Sequence, residues 1–277
     1  MNICSFGVGF IVKKMSHGIQ PIIVRFDSID STNSEASRQA KLGAPEGLCI
    51  IAREQTAGRG REQRVWLSPP DAGLYFSIVL RPAKEMRHWP LITLMTAVAV
   101  HDALKTTFEI ACDIKWPNDI YSRGLKLSGI LAETAETNAG PAVVVGIGVN
   151  LLVSALSPEL HSTATSVQTE IDRPVKADEL LPALLNSLSD FYEMFQSVKG
   201  HEGIVSEWKA RSSYWSGKPV RVSLARETFE GTTCGLEPDG ALRVVMGDGE
   251  IRIVRSGDVI AVRPAMNLKT DDETQRF

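Results

Sequence analysis

The sequence predicts an α+β fold, a large domain of hairpins and helices followed by a small β-barrel. Three observations predict it. Strand-like runs mix with helices without the regular strand–helix alternation of a doubly wound sheet. Apolar residues between 178 and 198 recur at three-to-four spacing, the stripe of an amphipathic helix. From Gly217 onward the pattern changes to short strands punctuated by Pro238-Asp-Gly240 and Gly247-Asp-Gly249, as in a small barrel.

Taken in order, residues 21 to 29 are β-branched and apolar like a strand. Thr32-x-x-Glu35 then fits a capping box opening a helix that Gly43 closes. Strand-like runs follow at 48 to 53 and 74 to 80, then an apolar helix pattern at about 91 to 108. Further strands are expected near 112 to 116, 118 to 123, 127 to 135 and 142 to 150, with Ser122-Arg-Gly124 as a hairpin tip. In the 178 to 198 helix, Leu180, Leu181, Leu184, Leu185, Leu188, Phe191, Tyr192 and Phe195 form the core-facing stripe, and Pro182 is tolerable only near the first turn. The expected organisation is an N-terminal extension over 1–20, a large domain over 21–216, a small one over 217–266 and a disordered polar tail over 267–277.

A chain of 277 residues can bury a sizeable core. The formal net charge of -3 supplies no global field for nucleic acid, so any basic feature is local. Cysteines 4, 49, 112 and 234 show no Cys-x-x-Cys spacing, which argues against a disulfide framework or zinc site and suits a reducing, cytoplasmic compartment. The start lacks the basic region of a signal peptide, and the apolar run at 91 to 100 is too short to span a bilayer.

The local basic feature is Glu54-Gln-Thr-Ala-Gly-Arg-Gly-Arg-Glu-Gln-Arg-Val-Trp66. Gly58 and Gly60 are expected to take positive φ and let the backbone approach a ligand, while Arg59, Arg61 and Arg64 supply guanidinium donors for phosphate or carboxylate oxygens. Alone, the stretch reads first as a solvated surface turn, and basic Gly-rich segments also bind nucleic acid. Downstream lie Lys115-Trp-Pro-Asn-Asp119, Lys126-Leu-Ser-Gly-Ile-Leu-Ala-Glu133 and Val145-Gly-Ile-Gly-Val-Asn150. Pro117 keeps Trp116 out of the α region, so that segment is expected to be extended, with Asn118 and Asp119 at a strand terminus. By themselves, an Asn-Asp pair also reads as a turn, Lys126 as a surface lysine and Trp66 as a core aromatic.

Together with Asp30-Ser-Thr-Asn33 and Leu74-Tyr-Phe-Ser77, these segments resemble those of biotin–protein ligases in the same order and at comparable spacing, over roughly residues 25 to 265. The resemblance implies a catalytic domain like that of class II aminoacyl-tRNA synthetases, with a mixed, largely antiparallel sheet, and an SH3-like barrel behind it. It implies ATP-dependent ligation of biotin, through biotinyl-5′-AMP, to a lysine of the biotin carboxyl carrier domain of acetyl-CoA carboxylase or another biotin-dependent carboxylase, with Mg²⁺ accompanying ATP. Ser31, Thr32, Asn33 and Gln55 would face biotin, whose ureido ring needs neutral donors and acceptors when buried. Thr32 also reads as a helix cap alone. Gly58, Arg59, Gly60 and Arg61 would close over the ligand as a lid, with Arg59 and Arg61 retaining the adenylate. Arg61, Arg64, Trp66, Asn118 and Asn150 would face the nucleotide, Lys126 would steady carboxylate and phosphate beside Gly129, and Asp119 would hold Mg²⁺.

The chain departs from the family at Glu62-Gln63, where a carboxylate enters the basic loop and is expected to weaken its grip on an anion. Only about twenty residues precede the first strand, too few for a winged helix, so DNA is not an expected partner. Monomer and homodimer both stay open. The competing readings are lipoate or octanoate transfer on the related scaffold, against which Lys115-Trp-Pro-Asn-Asp119 argues, and a non-catalytic nucleic-acid or protein binding module, which lacks a basic face with interleaved aromatics.

Overall fold

Helix and strand patterning resolves into two sheets that share one core. The computed structural model describes residues 18–262. Strand β1 (Ile22–Ile29) runs through helix α1 (Thr32–Lys41) into β2 (Leu48–Gln55), and then come β3 (Gly73–Leu80), α2 (Leu91–Phe108), β4 (Asp113–Lys115), β5 (Asp119–Ser122), β6 (Leu125–Ala135) and β7 (Ala142–Asn150). These strands form a sheet in the order β1-β2-β3-β7-β6-β5-β4, parallel between β1 and β2 and antiparallel elsewhere. Strand β3 is buried at every position, because α1 covers one face of the sheet and α2 the other. Ala36 and Ala40, four residues apart on α1, are small enough to let the helix lie directly on Val79 and Val144. No helix among the described residues is long and apolar enough to cross a membrane.

Three helices follow: α3 (Val167–Ile171), α4 (Ala177–Gln196) and α5 (Gly200–Arg211). The predicted stripe of α4 is buried at Leu180, Leu181, Leu184, Leu188, Tyr192 and Phe195 against the α2 side of the core. Pro182 falls in the second turn rather than the first, and the carbonyl of Asp178 loses its helical donor. Glu179 Oε1, accepting from Lys176 N at 2.8 Å, secures the start of the helix. Neither α3 nor α5 was expected. In α5 only Gly200, Ile204 and Trp208 are buried, too sparse a stripe for periodicity to reveal.

The remaining strands, β8 (Ser216–Ser223), β9 (Thr228–Leu236), β10 (Leu242–Val245), β11 (Ile251–Val254) and β12 (Asp258–Ala261), form a second, antiparallel sheet in the order β11-β10-β9-β8-β12. Gly240 and Gly249 take positive φ at the two expected turns. Val220, Val222, Leu242 and Val244 join the same core as Trp116, and the Trp116 indole N–H donates to Gly240 O at 2.9 Å.

Two local expectations change. Helix α1 is capped by Ser31, whose extended backbone and hydroxyl serve Ser34 N, and not by a Thr32–Glu35 box. The Thr32 hydroxyl is taken by Gln55 and Ser77, and the Glu35 carboxylate by Arg38 and Gln39. Residues 116–118 are the turn between β4 and β5, where Lys115 pairs with Asp119, rather than an extended strand end. The Trp116–Pro117 peptide bond is cis. Of the stretch 1–20, residues 1–17 lie outside the described residues, as does the tail over 267–277. Residues 18–20 are described, and there Ile19 is buried with its N–H donating to Ser189 Oγ at 3.1 Å.

Candidate functional site

Strands β6 and β7 make the floor of a cleft of about 290 Å³. A glycine at i and i+2 leaves one face of a strand bare, and Gly146 and Gly148 do this on β7 beside Gly129 on β6, the register partner of Gly148. A methyl group on Gly148 would lie 2.4 Å from the Trp66 ring, one on Gly129 2.9 Å from the same ring, and one on Gly146 2.2 Å from Asn33 Oδ1. The indole of Trp66 thus lies flat on glycine backbone, with its buried Nε1 lacking a hydrogen-bond partner among the described residues. Gly148→Ala is expected to displace this ring, with a change in tryptophan emission and a stability loss of about 1–3 kcal/mol in urea titration, the usual cost of overpacking.

One wall is neutral and polar. The start of α1 buries Ser31, Thr32 and Asn33. Thr32 N and Oγ1 both donate to Gln55 Oε1, at 2.8 and 3.1 Å, and Gln55 Nε2 donates to Ser68 Oγ at 2.7 Å. From β3, the fully buried Ser77 hydroxyl lies 2.8 Å from Thr32 Oγ1 and 2.7 Å from Asn33 Oδ1.

The roof is the loop between β2 and β3. Arg59 bridges Val65, Gly60 N donates to Arg64 O at 2.7 Å, and Trp66 N donates to Gly58 O at 3.0 Å, so the loop is a tight hairpin. Its positive-φ residues are Glu62 and Gln63, not Gly58 and Gly60, because this pairing puts the reversal at its tip. Gly58 serves close approach instead, whereas a Cβ on Gly60 would meet only ordinary contacts, the nearest being Arg64 O at 3.4 Å. A Cβ on Gly58 would lie 2.3 Å from Trp66 O, and Gly58 is buried beneath the cleft rather than lining it.

The three loop arginines are held differently. Arg59 is forked on Glu133, at 3.1 and 2.6 Å. Arg64 bonds Glu62 at 2.9 Å and, from the second sheet, Asp258 at 3.2 Å. Glu62 therefore sits against Arg64. Arg61 donates to the neutral Asn118 Oδ1 at 3.1 Å, and is the loop arginine without a carboxylate partner among the described residues.

Opposite the polar wall the cleft is charged. Asn118 is fixed by bonding Ile130 O through Nδ2 at 2.8 Å and accepting from Ile130 N at 2.9 Å. Lys126 Nζ lies 2.7 Å from the buried Asp119 Oδ1 and 5.6 Å from the centre of the Trp66 ring. Asn150, at the end of β7, donates to Thr165 O at 3.1 Å. Burial pushes the Asp258 carboxyl up, but the charges of Lys115 and Arg64 outweigh it and hold the group below its ordinary value.

The structure thus gathers Ser31, Thr32, Asn33, Gln55, Arg59, Gly60, Arg61, Arg64, Trp66, Asn118, Asp119, Lys126, Gly129 and Asn150 around one cleft. Sequence reasoning passed over Ser77, Glu133, Gly146, Gly148 and Asp258. The paired glycines of β7 carry a readable signal; Glu133 and Asp258 carry none, being brought in by tertiary pairing. A neutral polar pocket beside clustered cations suits a ligand with an uncharged polar head and an acidic group, together with a phosphorylated co-substrate.

Comparison with known proteins gives the same direction. The model of the biotin/lipoate A/B protein ligase family matches residues 25–150, and that of the biotin protein ligase C terminal domain matches residues 215–261. The chain is 33% identical over 241 residues to a biotin–[acetyl-CoA-carboxylase] ligase of Paracoccus denitrificans, covering 83% of this chain and 96% of that protein. It is 32% identical over 240 residues to the bifunctional ligase/repressor BirA of Bacillus subtilis (strain 168), covering 86% and 73%. Among solved structures, the biotin protein ligase from Aquifex aeolicus in complex with biotin and ATP superposes with a TM-score of 0.75 at 27% identity, over 87% of this chain and 98% of that one.

Proposed function

The chain belongs to the biotin protein ligase family, and from this premise we propose that it joins biotin to a lysine of a carrier protein at the expense of ATP, through biotinyl-5′-AMP. The observation that carries this reading is the junction of the Ser31–Thr32–Gln55 wall with the Arg61–Lys126 cluster across a bare glycine floor.

A carboxylate does not acylate an amine at neutral pH, so the reaction takes two steps. A carboxylate oxygen of biotin attacks the α-phosphorus of ATP, the bond to the β-phosphate oxygen breaks, and pyrophosphate leaves. The lysine amine of the carrier then attacks the acyl carbon, AMP leaves with the bonding pair, and the amine loses its proton. Both steps move negative charge, so the protein contributes positioning, fixed cations and exclusion of water.

In this reading the neutral wall takes the ureido head of biotin, which is costly to bury unless hydrogen-bonded. Lys126 and Arg61 flank the carboxylate and α-phosphate, and Trp66 covers both beneath the loop. Trp66, Arg64, Asn118 and Asn150 face the nucleotide. Asp119, which lines the cleft beside Asn118, would hold a magnesium ion whose other ligands would be phosphate oxygens and water. There the ion would neutralise phosphate charge. The division into a catalytic domain over 21–216 and an SH3-like domain over 217–266 accompanies this reading, and the acceptor is the biotin carboxyl carrier domain of acetyl-CoA carboxylase or a similar carboxylase.

The test is transfer. With biotin, Mg·ATP and an unmodified carrier domain, the chain is expected to place biotin on one carrier lysine, detected by streptavidin blot and located by peptide mass spectrometry. Labelling with lipoate in place of biotin, or none, would contradict it.

A further inference from the structure

We propose that Glu133, a residue outside the cleft lining, is a positioning residue that latches the Gly58–Trp66 loop closed by holding Arg59. This deepens the biotin ligase reading and rests on it for its catalytic consequence, although the latch itself can be read without any ligand.

Both carboxylate oxygens of Glu133 accept hydrogen bonds, in a pair that stays partly open to water, with the Glu133 side chain 36% exposed. Oε1 accepts from Arg59 Nη1 at 3.1 Å, and Oε2 accepts from Arg59 Nη2 at 2.6 Å and from Asn33 Nδ2 at 2.9 Å. Its backbone is fixed in β6, paired with Val144. Asn33 in turn is buried, also donates to Leu131 O at 3.2 Å, and accepts from the Ser77 hydroxyl. A rigid chain of polar groups therefore runs from β3 through the first turn of α1 to β6 and ends on the first arginine of the loop. Gly146 belongs to this chain, since any side chain there would collide with Asn33.

What Arg59 holds is the loop itself. Its backbone bridges Val65, and the neighbouring bonds Gly60 N to Arg64 O and Trp66 N to Gly58 O tie the two arms together. Fixing Arg59 therefore fixes Arg61 on one arm and Trp66 on the other. The forked geometry needs both terminal nitrogens of a guanidinium, which a lysine cannot supply. It also cancels the charge of Arg59. The two basic residues of Gly-Arg-Gly-Arg then divide the work, Arg59 as the anchor and Arg61 as the cation facing the cleft without a carboxylate partner among the described residues.

The experiment is limited trypsin digestion of the ligand-free chain at the Arg64–Val65 bond, with cleavage after the buried Lys115 of β4, which requires the sheet to open, as an internal reference for global unfolding. Relative to that reference, Glu133→Gln is expected to speed loop cleavage about three- to tenfold, as for losing a forked, networked ion pair. Arg59→Glu and Glu133→Arg alone should behave likewise, and the double swap should return the rate to within about twofold of the parent. Because only the ratio is read, a variant that is merely less stable moves both sites and does not mimic the effect. In pyrophosphate exchange, Glu133→Gln should raise KM for biotin by a similar factor while kcat stays within about twofold. A Glu133→Gln chain cut at the parent's ratio, or a swap no slower than the single variants, overturns the latch. A parent that exchanges no pyrophosphate overturns the biotin reading instead, and leaves the digestion result to decide the latch alone.

Discussion

Lys126→Ala is expected to lower biotin-dependent adenylate formation by about a hundredfold or more, a typical cost of removing a preorganised charge from the place where charge moves. The backbone at this position does not depend on the side chain, because Lys126 N donates to Thr163 O and Lys126 O accepts from Thr165 N, both at 2.9 Å. The side chain does have a structural partner in the buried Asp119. Its loss leaves that carboxylate unpaired, at a cost on the order of 1 kcal/mol for a pair still partly open to water. The double variant Lys126→Ala/Asp119→Asn reads the structural effect alone, since its stability in urea titration should recover once the unpaired carboxylate is gone. The catalytic effect is read from pyrophosphate exchange by the folded Lys126→Ala single variant. A single variant that folds and exchanges at nearly the parent's rate would make Lys126 an ordinary surface lysine.

Arg61→Gly is expected to release the intermediate. Arg61 faces the cleft with its charge uncompensated by any carboxylate among the described residues, and a charge-assisted hydrogen bond of roughly 1.5 to 3 kcal/mol slows escape of a bound acyl-adenylate by about tenfold or more. Free biotinyl-AMP acylates exposed amines, so the variant should label bystander proteins with biotin while the parent labels only the carrier. Arg59→Gly should also leak, but by loosening the loop, and Glu133→Gln should reproduce its effect without touching Arg61. An Arg61→Gly chain that loses adenylation and labels nothing would limit this residue to forming the intermediate.

These distinctions show where the sequence was legible. A motif with a steric or conformational requirement could be read locally. Ser122-Arg-Gly124 does make the tight β5–β6 hairpin, with Arg123 and Gly124 both at positive φ, and the apolar stripe of α4 is buried as its spacing requires. The loop was recognisable from its composition, but its internal geometry was not. The pairing of Arg59 with Val65 moves the left-handed residues to Glu62 and Gln63, which propensity alone would never choose. Apart from Glu62 beside Arg64, the partners of the loop arginines lay beyond local reasoning. Glu133 is 74 residues from Arg59 and Asp258 is 194 from Arg64. Glu62, expected to weaken the grip of the loop on an anion, occupies Arg64 in the ligand-free chain.

Adenylation is the central claim, and ATP–pyrophosphate exchange reads it most directly because it needs neither the carrier nor the second step. Purified chain with Mg·ATP and labelled pyrophosphate should exchange label into ATP when biotin is added, and remain at background with lipoate. Equal exchange with lipoate, or none with biotin, would contradict the account.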